Sequence, residues 1–209
     1  MLDRVNMSLE NQRLFEAQKI ISEYIDTLNH IKFNSSFSKI IDIIFECKGK
    51  IITTGIGKAG LIIKKFSSTL CSLGFPSCYL HPAEASHGDL GIIQPDDILF
   101  VASVSGKTRE ILETIDLARQ ISISKVIGIT SHPDSPIRKK ADLVLDMGII
   151  QESGHLKIVP TSSMIVMMTL TDCLALVMAK EKNITLSQYA KYHHGGYIGA
   201  TARGDNIIK

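Results

Sequence analysis

Ile98-Leu99-Phe100-Val101-Ala102-Ser103-Val104-Ser105-Gly106-Lys107-Thr108-Arg109-Glu110 is the stretch on which the fold turns. Five consecutive apolar residues predict a strand buried on both faces. Hydroxyl residues and a glycine end it, and residues 111–119 resume at helical spacing. A strand passing through such a turn into a helix aims the free N–H groups and positive dipole end of that helix at one point. That is the geometry of an anion site. Ser103, Ser105 and Thr108 offer hydroxyl donors, Gly106 lets the backbone come close, and Glu110 places a carboxylate beside them. A plain helix N-cap explains some of the same residues, and both readings stay open at this point.

On either side the same alternation repeats. Ile51-Ile52-Thr53-Thr54 predicts a first strand, followed by a helix over 58–73. Cys78-Tyr79-Leu80, residues 126–130 and Leu143-Val144-Leu145 predict three more strands around the one at 98–102. Short apolar strands alternating with helices indicate an α/β domain whose parallel sheet is covered on both faces. Ligands of such sheets sit outside the carboxyl ends of the strands, where all the motifs below fall. Residues 8–47 read instead as two amphipathic helices. Leu14, Ala17, Ile21, Tyr24, Ile25 and Leu28 make one stripe, and Phe37, Ile40, Ile41, Ile44 and Phe45 the other. Asn34-Ser35-Ser36 reads as the break and N-cap between them.

The chain has 209 residues, 44% hydrophobic and 21% charged, which fits one ordinary α/β domain. Its net charge of +2, spread without a basic stripe, argues against nucleic acid as a partner. Cys47, Cys71, Cys78 and Cys173 show no ligand spacing and read as small buried residues in a reducing cytoplasm. The first residues lack an export signal. Residues 164–179 form the longest apolar segment, shorter than the ~20 residues a membrane helix needs. With Asp172 inside it, the expectation is a buried or subunit-interface helix and no membrane span.

Four further constellations carry chemistry. Gly55-Ile56-Gly57-Lys58-Ala59-Gly60 departs from dinucleotide and Walker A spacing, leaving a lysine at a helix N-terminus, where the dipole disfavours a cation. Either an anionic ligand compensates or Lys58 is a solvated surface residue. His81-Pro82-Ala83-Glu84-Ala85-Ser86-His87-Gly88-Asp89 holds two histidines and two acids, as acid/base machinery or as a capping loop; its histidine spacing does not suit a helical metal pair. Glu152 precedes Pro160-Thr161-Ser162-Ser163, three successive hydroxyls where a cap needs one. Tyr192-His193-His194-Gly195-Gly196 reads as a mobile loop presenting a histidine for proton transfer, or as a solvated turn.

Taken in order, these pieces resemble the sugar isomerase (SIS) domain over about residues 10–200, and within it the D-arabinose-5-phosphate isomerases. The carriers are Gly55-Ile56-Gly57-Lys58, the run from His81 to Gly91, Ser103-Val104-Ser105-Gly106, Pro160-Thr161-Ser162-Ser163 and His193-His194-Gly195-Gly196. The resemblance implies a flavodoxin-like three-layer sandwich, a five-stranded parallel sheet flanked by helices with an N-terminal helical hairpin. One SIS domain is expected over 1–209: hairpin 1–47, α/β core 48–181, and a C-terminal segment 182–209 carrying His193, without the CBS modules many members have. Three departures stand out: Val104 and Lys107 in the serine loop, His194 where proline is usual, and the end of the chain at Lys209.

The resemblance implies catalytic roles for Lys58, Glu110, Glu152 and His193. It implies substrate contacts from Gly57, Gly74, His81, Glu84, His87, Ser103, Ser105, Gly106, Thr108, Thr161, Ser162 and Ser163, with His81 also a candidate contact for inhibitory zinc. The implied reaction interconverts D-arabinose 5-phosphate and D-ribulose 5-phosphate through a cis-enediol, feeding synthesis of 3-deoxy-D-manno-octulosonate (Kdo) for lipopolysaccharide or capsule. It needs no metal or cofactor. A homotetramer with shared active sites is implied as well. Isomerisation of a hexulose 6-phosphate or heptulose 7-phosphate, and a non-catalytic phosphosugar sensor, are the alternatives.

Overall fold

The structure, a computed structural model, describes residues 7–205 of the 209; residues 1–6 and 206–209 of the expected domain lie outside the described residues. Two helices, α1 (Leu9–Asn29) and α2 (Ser35–Glu46), come first. Then follow β1 (Ile51–Gly55), α3 (Gly57–Ser72), β2 (Ser77–Leu80), α4 (Pro82–Ala85), β3 (Ile98–Ala102), α5 (Arg109–Gln120) and β4 (Lys125–Thr130). The chain continues with α6 (Pro136–Lys140), β5 (Leu143–Asp146), α7 (Ser162–Glu181), α8 (Leu186–Tyr192) and α9 (Gly196–Arg203). All five expected strands are present, each boundary within one residue of the sequence reading, and Asn34 caps α2 by accepting from the Ser36 N–H.

The strands form one parallel sheet in the order β2-β1-β3-β4-β5. The chain leaves β1 toward one edge and returns on its other side at β3, which opens a crevice at the carboxyl ends of β1 and β3. β1 and β3 are buried at every position, because helices cover both faces. Ile51, Phe100 and Ile127 pack with α2, α3 and α7, while Ile52, Leu99 and Val101 pack with α5 on the other face. Phe66 of α3 meets Phe100 edge to face, ring centroids 5.5 Å apart. Each such side chain, fully buried, contributes roughly 1.5–3 kcal/mol, so the covered sheet is the rigid frame on which the loops are mounted.

The amino end of the sheet is closed by Asp97, which is 1% exposed. Its carboxylate accepts from Lys50 N at 2.7 Å, Gln94 N at 2.8 Å and Lys50 Nζ at 2.6 Å. A buried charge with every partner in place fixes the entry into β1.

Two expectations change, and the N-terminal helical hairpin gains a detail: α1 lies on α7, while α2 lies on β5 and α7. The apolar face of α2 (Ile40, Ile41, Ile44) fills the place beside the sheet, which leaves α1 outside with no buried residue and with Leu14, Ile21 and Ile25 exposed. The apolar helix α7 has 20 residues and a mean hydropathy of 1.8 over its most apolar window, long and apolar enough by length and composition to cross a membrane. Half of that window is buried, against a domain whose α3, α1 and α2 all pack on α7. Around His193, two short helices, α8 and α9, replace the expected loop.

Candidate functional site

The turn after β3 builds its shape from its own hydroxyls. Ser103 Oγ lies 2.7 Å from Thr108 Oγ1 and accepts from the Gly106 N–H at 3.1 Å, while Ser105 Oγ accepts from Lys107 N at 3.2 Å. Thr108 occupies the N-cap position of α5, yet its side chain makes no capping bond, because the hydroxyl is turned back to Ser103. The plain-cap reading therefore fails, and the start of α5 is left uncapped by any side chain. Gly106 has φ +63, and a Cβ there would lie 2.4 Å from Ser135 Cβ and 2.7 Å from Thr130 Oγ1. Only glycine lets the loop settle this closely on the segment after β4.

β1 delivers the second element. Lys58 stands in the first turn of α3, exposed and without an ion pair among the described residues. Tyr79 of β2 donates its hydroxyl to Gly55 O at 2.6 Å and so fixes the turn before Lys58; burial pushes its phenol above the ordinary value. Lys58, Ser103, Ser105 and Thr108 line one cavity of about 490 Å³ with Ile56, Ala59, Ala102, Val104, His132, Ile158, Pro160 and Met164. A cation, three hydroxyls and an uncapped helix N-terminus around one space suit a phosphorylated small molecule, with apolar walls for a carbon skeleton.

Other expected site residues are arranged around this cavity rather than in its lining. Glu110 lies in the first turn of α5, half-buried, and its carboxylate has no protein partner among the described residues. Glu152 is engaged with α7: Oε2 accepts from Thr161 N at 2.8 Å and Ser163 N at 3.2 Å, and Oε1 accepts from the Ser163 hydroxyl. Ser162 and Ser163 are fully buried, and Ser162 Oγ pairs with Ser153 Oγ at 2.7 Å, so their hydroxyls serve the protein in this chain. Thr161 Oγ1 donates to Val159 O at 3.2 Å. Expected as ligand donors, these three hydroxyls are engaged internally, Ser163 with Glu152, Ser162 with Ser153 and Thr161 with the Val159 carbonyl.

His81 caps α4, its Nδ1 accepting from Ala83 N at 3.3 Å, and Glu84 and His87 are exposed beyond it at the end of β2. Among the described residues no three His, Cys, Asp or Glu side chains converge as a metal-ligand set. Gly57 begins α3 at φ +61, next to Lys58. Gly74 and His193 lie elsewhere. Gly74 ends α3 at φ +79, its Cα packed so closely on the Tyr192 ring that a Cβ would come within 2.9 Å of it. His193 follows Tyr192 and stacks on Tyr189 with centroids 5.3 Å apart. From Lys58 to its end at Ser72, α3 runs about 21 Å, so this chain's His193 does not reach this chain's cavity.

Sequence reasoning missed His132 and the tie that holds the segment around Glu152 to α1. Glu23 of α1 accepts from Gly154 N and Lys157 Nζ, each at 3.2 Å, and so ties that segment to the N-terminal helix. The Gly154 N–H and Lys157 hold the Glu23 carboxyl below the usual carboxylate range. Between the two lies a second cavity of about 320 Å³, lined by Glu23, Asp26, His30 and Glu152 among others.

The SIS domain family model matches residues 43–177, from the end of α2 through most of α7. The chain belongs to the SIS domain family. It is 36% identical to arabinose 5-phosphate isomerase KdsD of Pseudomonas aeruginosa over 93% of this chain and 60% of that one, so it spans little more than half of that relative's length. A Bacteroides fragilis structure named as a candidate phosphosugar isomerase involved in capsule formation is 39% identical, with a TM-score of 0.85 over 88% of this chain and 99% of that one. An Escherichia coli CFT073 protein in complex with arabinose 5-phosphate is 28% identical, with a TM-score of 0.84 over 90% of this chain and all of that one. For an SIS domain, the cavity at the β1/β3 crevice lies where ligands of doubly wound sheets bind.

Proposed function

We propose that this chain is an aldose-ketose isomerase interconverting D-arabinose 5-phosphate and D-ribulose 5-phosphate. The observation that carries the reading is the convergence of Lys58 with the Ser103, Ser105 and Thr108 hydroxyls on one cavity at the uncapped start of α5. It is supported by relatives whose names carry this activity or this ligand. Anchoring the phosphate at α5 would hold the sugar carbons toward Lys58 and the carboxylates, and binding energy at this remote group positions the reacting centre.

One proton must move between C2 and C1 through a cis-enediol. Glu152, oriented by the α7 amides, is our proton-transfer base. Lys58 stabilises the developing enediolate, and the unpartnered Glu110 orients Lys58 or shares the proton work. His193, which opens the ring or shuttles hydroxyl protons, would come from a neighbouring subunit, because its own chain holds it at the far end of α3. A homotetramer would also cover the exposed Leu14, Ile21 and Ile25 of α1 and Leu176 and Val177 of α7. We read the chain as a single cytoplasmic SIS domain whose product feeds Kdo synthesis. The direct test is incubation with D-ribulose 5-phosphate and detection of D-arabinose 5-phosphate. Turnover of a hexulose or heptulose phosphate instead would keep the mechanism and remove the substrate.

A further inference from the structure

We infer that His132 is a phosphate-contacting residue of this cavity, a nitrogen donor facing Lys58 across the serine loop. The inference rests on the proposed phosphosugar reading of the site. Of the side chains lining the cavity, Lys58 and His132 are the two that can carry positive charge; the others are hydroxyl or apolar. Strand order puts them on opposite sides of the anion loop, since Lys58 follows β1, His132 follows β4, and β3 lies between.

The loop carrying His132 is joined to the phosphate loop by hydrogen bonds. Ser131 N donates to Val104 O at 3.0 Å, Thr130 Oγ1 to the same oxygen at 3.1 Å, and Ile137 N to Gly106 O at 3.3 Å. The His132 carbonyl accepts from Arg138 Nε at 2.7 Å, and Arg138 is itself held by Asp146 Oδ1 at 2.6 Å. Pro133 further restricts the backbone of His132. The imidazole is thus carried on a braced backbone, yet its ring has no hydrogen-bond or ion-pair partner among the described residues. A braced, exposed and unpartnered ring beside three hydroxyls and a helix N-terminus is arranged to donate to an anion held there.

The test compares wild type with His132→Ala and His132→Arg in the full chain, using inorganic phosphate as probe and then the turned-over phosphosugar. Phosphate should shift the imidazole resonances of His132. His132→Ala should weaken phosphate binding and raise KM by about tenfold with kcat within about twofold, and His132→Arg should restore most of the affinity. Unchanged phosphate binding and KM in His132→Ala overturns the inference while leaving the site intact. So does a fall in kcat at constant KM, which would put the ring at the reacting carbons instead. If wild type binds neither phosphate nor any phosphosugar, the functional reading and the inference fall together.

Discussion

Two helices start at the carboxyl edge of the sheet behind runs of hydroxyl residues, α5 behind Ser103-Val104-Ser105-Gly106-Lys107-Thr108 and α7 behind Pro160-Thr161-Ser162-Ser163. At α5 the hydroxyls bond among themselves and to their own loop, and no side chain caps the helix. At α7 the Glu152 carboxylate takes the Thr161 and Ser163 amides and the Ser163 hydroxyl. The same local signal thus leaves one helix start open and the other filled by the protein's own anion. The dipole argument is satisfied at both ends, since each helix N-terminus favours negative charge. What differs is where that charge comes from.

The largest effect should come from breaking the open start. Gly106→Ala forces a Cβ to within 2.4 Å of Ser135 at a φ of +63, so the serine loop must move off the segment after β4. A displacement of about 1 Å at a positioning group costs on the order of 100-fold in rate, and we expect a loss of that size in kcat/KM. Strain and overlap together should lower stability by about 3 kcal/mol, read by urea denaturation. Wild-type kinetics in Gly106→Ala would mean that the loop does not hold the substrate.

Opening the filled start should have a smaller structural effect. Glu152→Ala leaves two amides and a buried hydroxyl without their acceptor, and should cost about 2 kcal/mol by thermal or chemical denaturation. Glu152→Gln keeps an acceptor for the amides and should retain most of that stability. The pair separates two roles. If Glu152 is also the base, both variants lose solvent-deuterium exchange at C2, whereas Glu152→Gln still folds and binds phosphosugar. Exchange that persists in Glu152→Gln removes the assignment and turns attention to the unpartnered Glu110.

The sheet was legible in the sequence because its strands are short, largely apolar runs bounded by turn residues, so each of the five announces itself locally. The α5 site was legible for the same reason, with all its hydroxyls within six residues. The engagement of Glu152 with α7 was hidden, because it joins residues nine and eleven apart through a segment without periodicity. His132 was hidden as well: a lone histidine in Ser131-His132-Pro133 carries no pattern, and only strand order brings it opposite Lys58. The distance from His193 to Lys58 required knowing that α8 docks at the far end of α3.

The smallest effect sharpens the contrast by pH. The segment leading into α7 is tied to α1 through the Glu23 carboxylate, whereas the α5 loop is tied to the segment after β4 by neutral hydrogen bonds alone. The Gly154 N–H and Lys157 lower the Glu23 pKa in the folded chain. A carboxyl with a depressed folded pKa adds stability that is fully present above its unfolded value and is lost as pH falls through the folded one. Wild type should therefore melt above Glu23→Gln at neutral pH, with the difference closing as pH drops through and below the ordinary carboxylate range. Phosphate affinity should differ little between the two proteins at any one pH, because the α5 cradle contains no part of this tie. A melting difference that stays constant down to low pH would show that the ionised carboxylate is not what holds the segment. A difference in phosphate affinity that tracks the melting difference would show that the two helix starts are one coupled unit rather than two separate solutions to the same dipole.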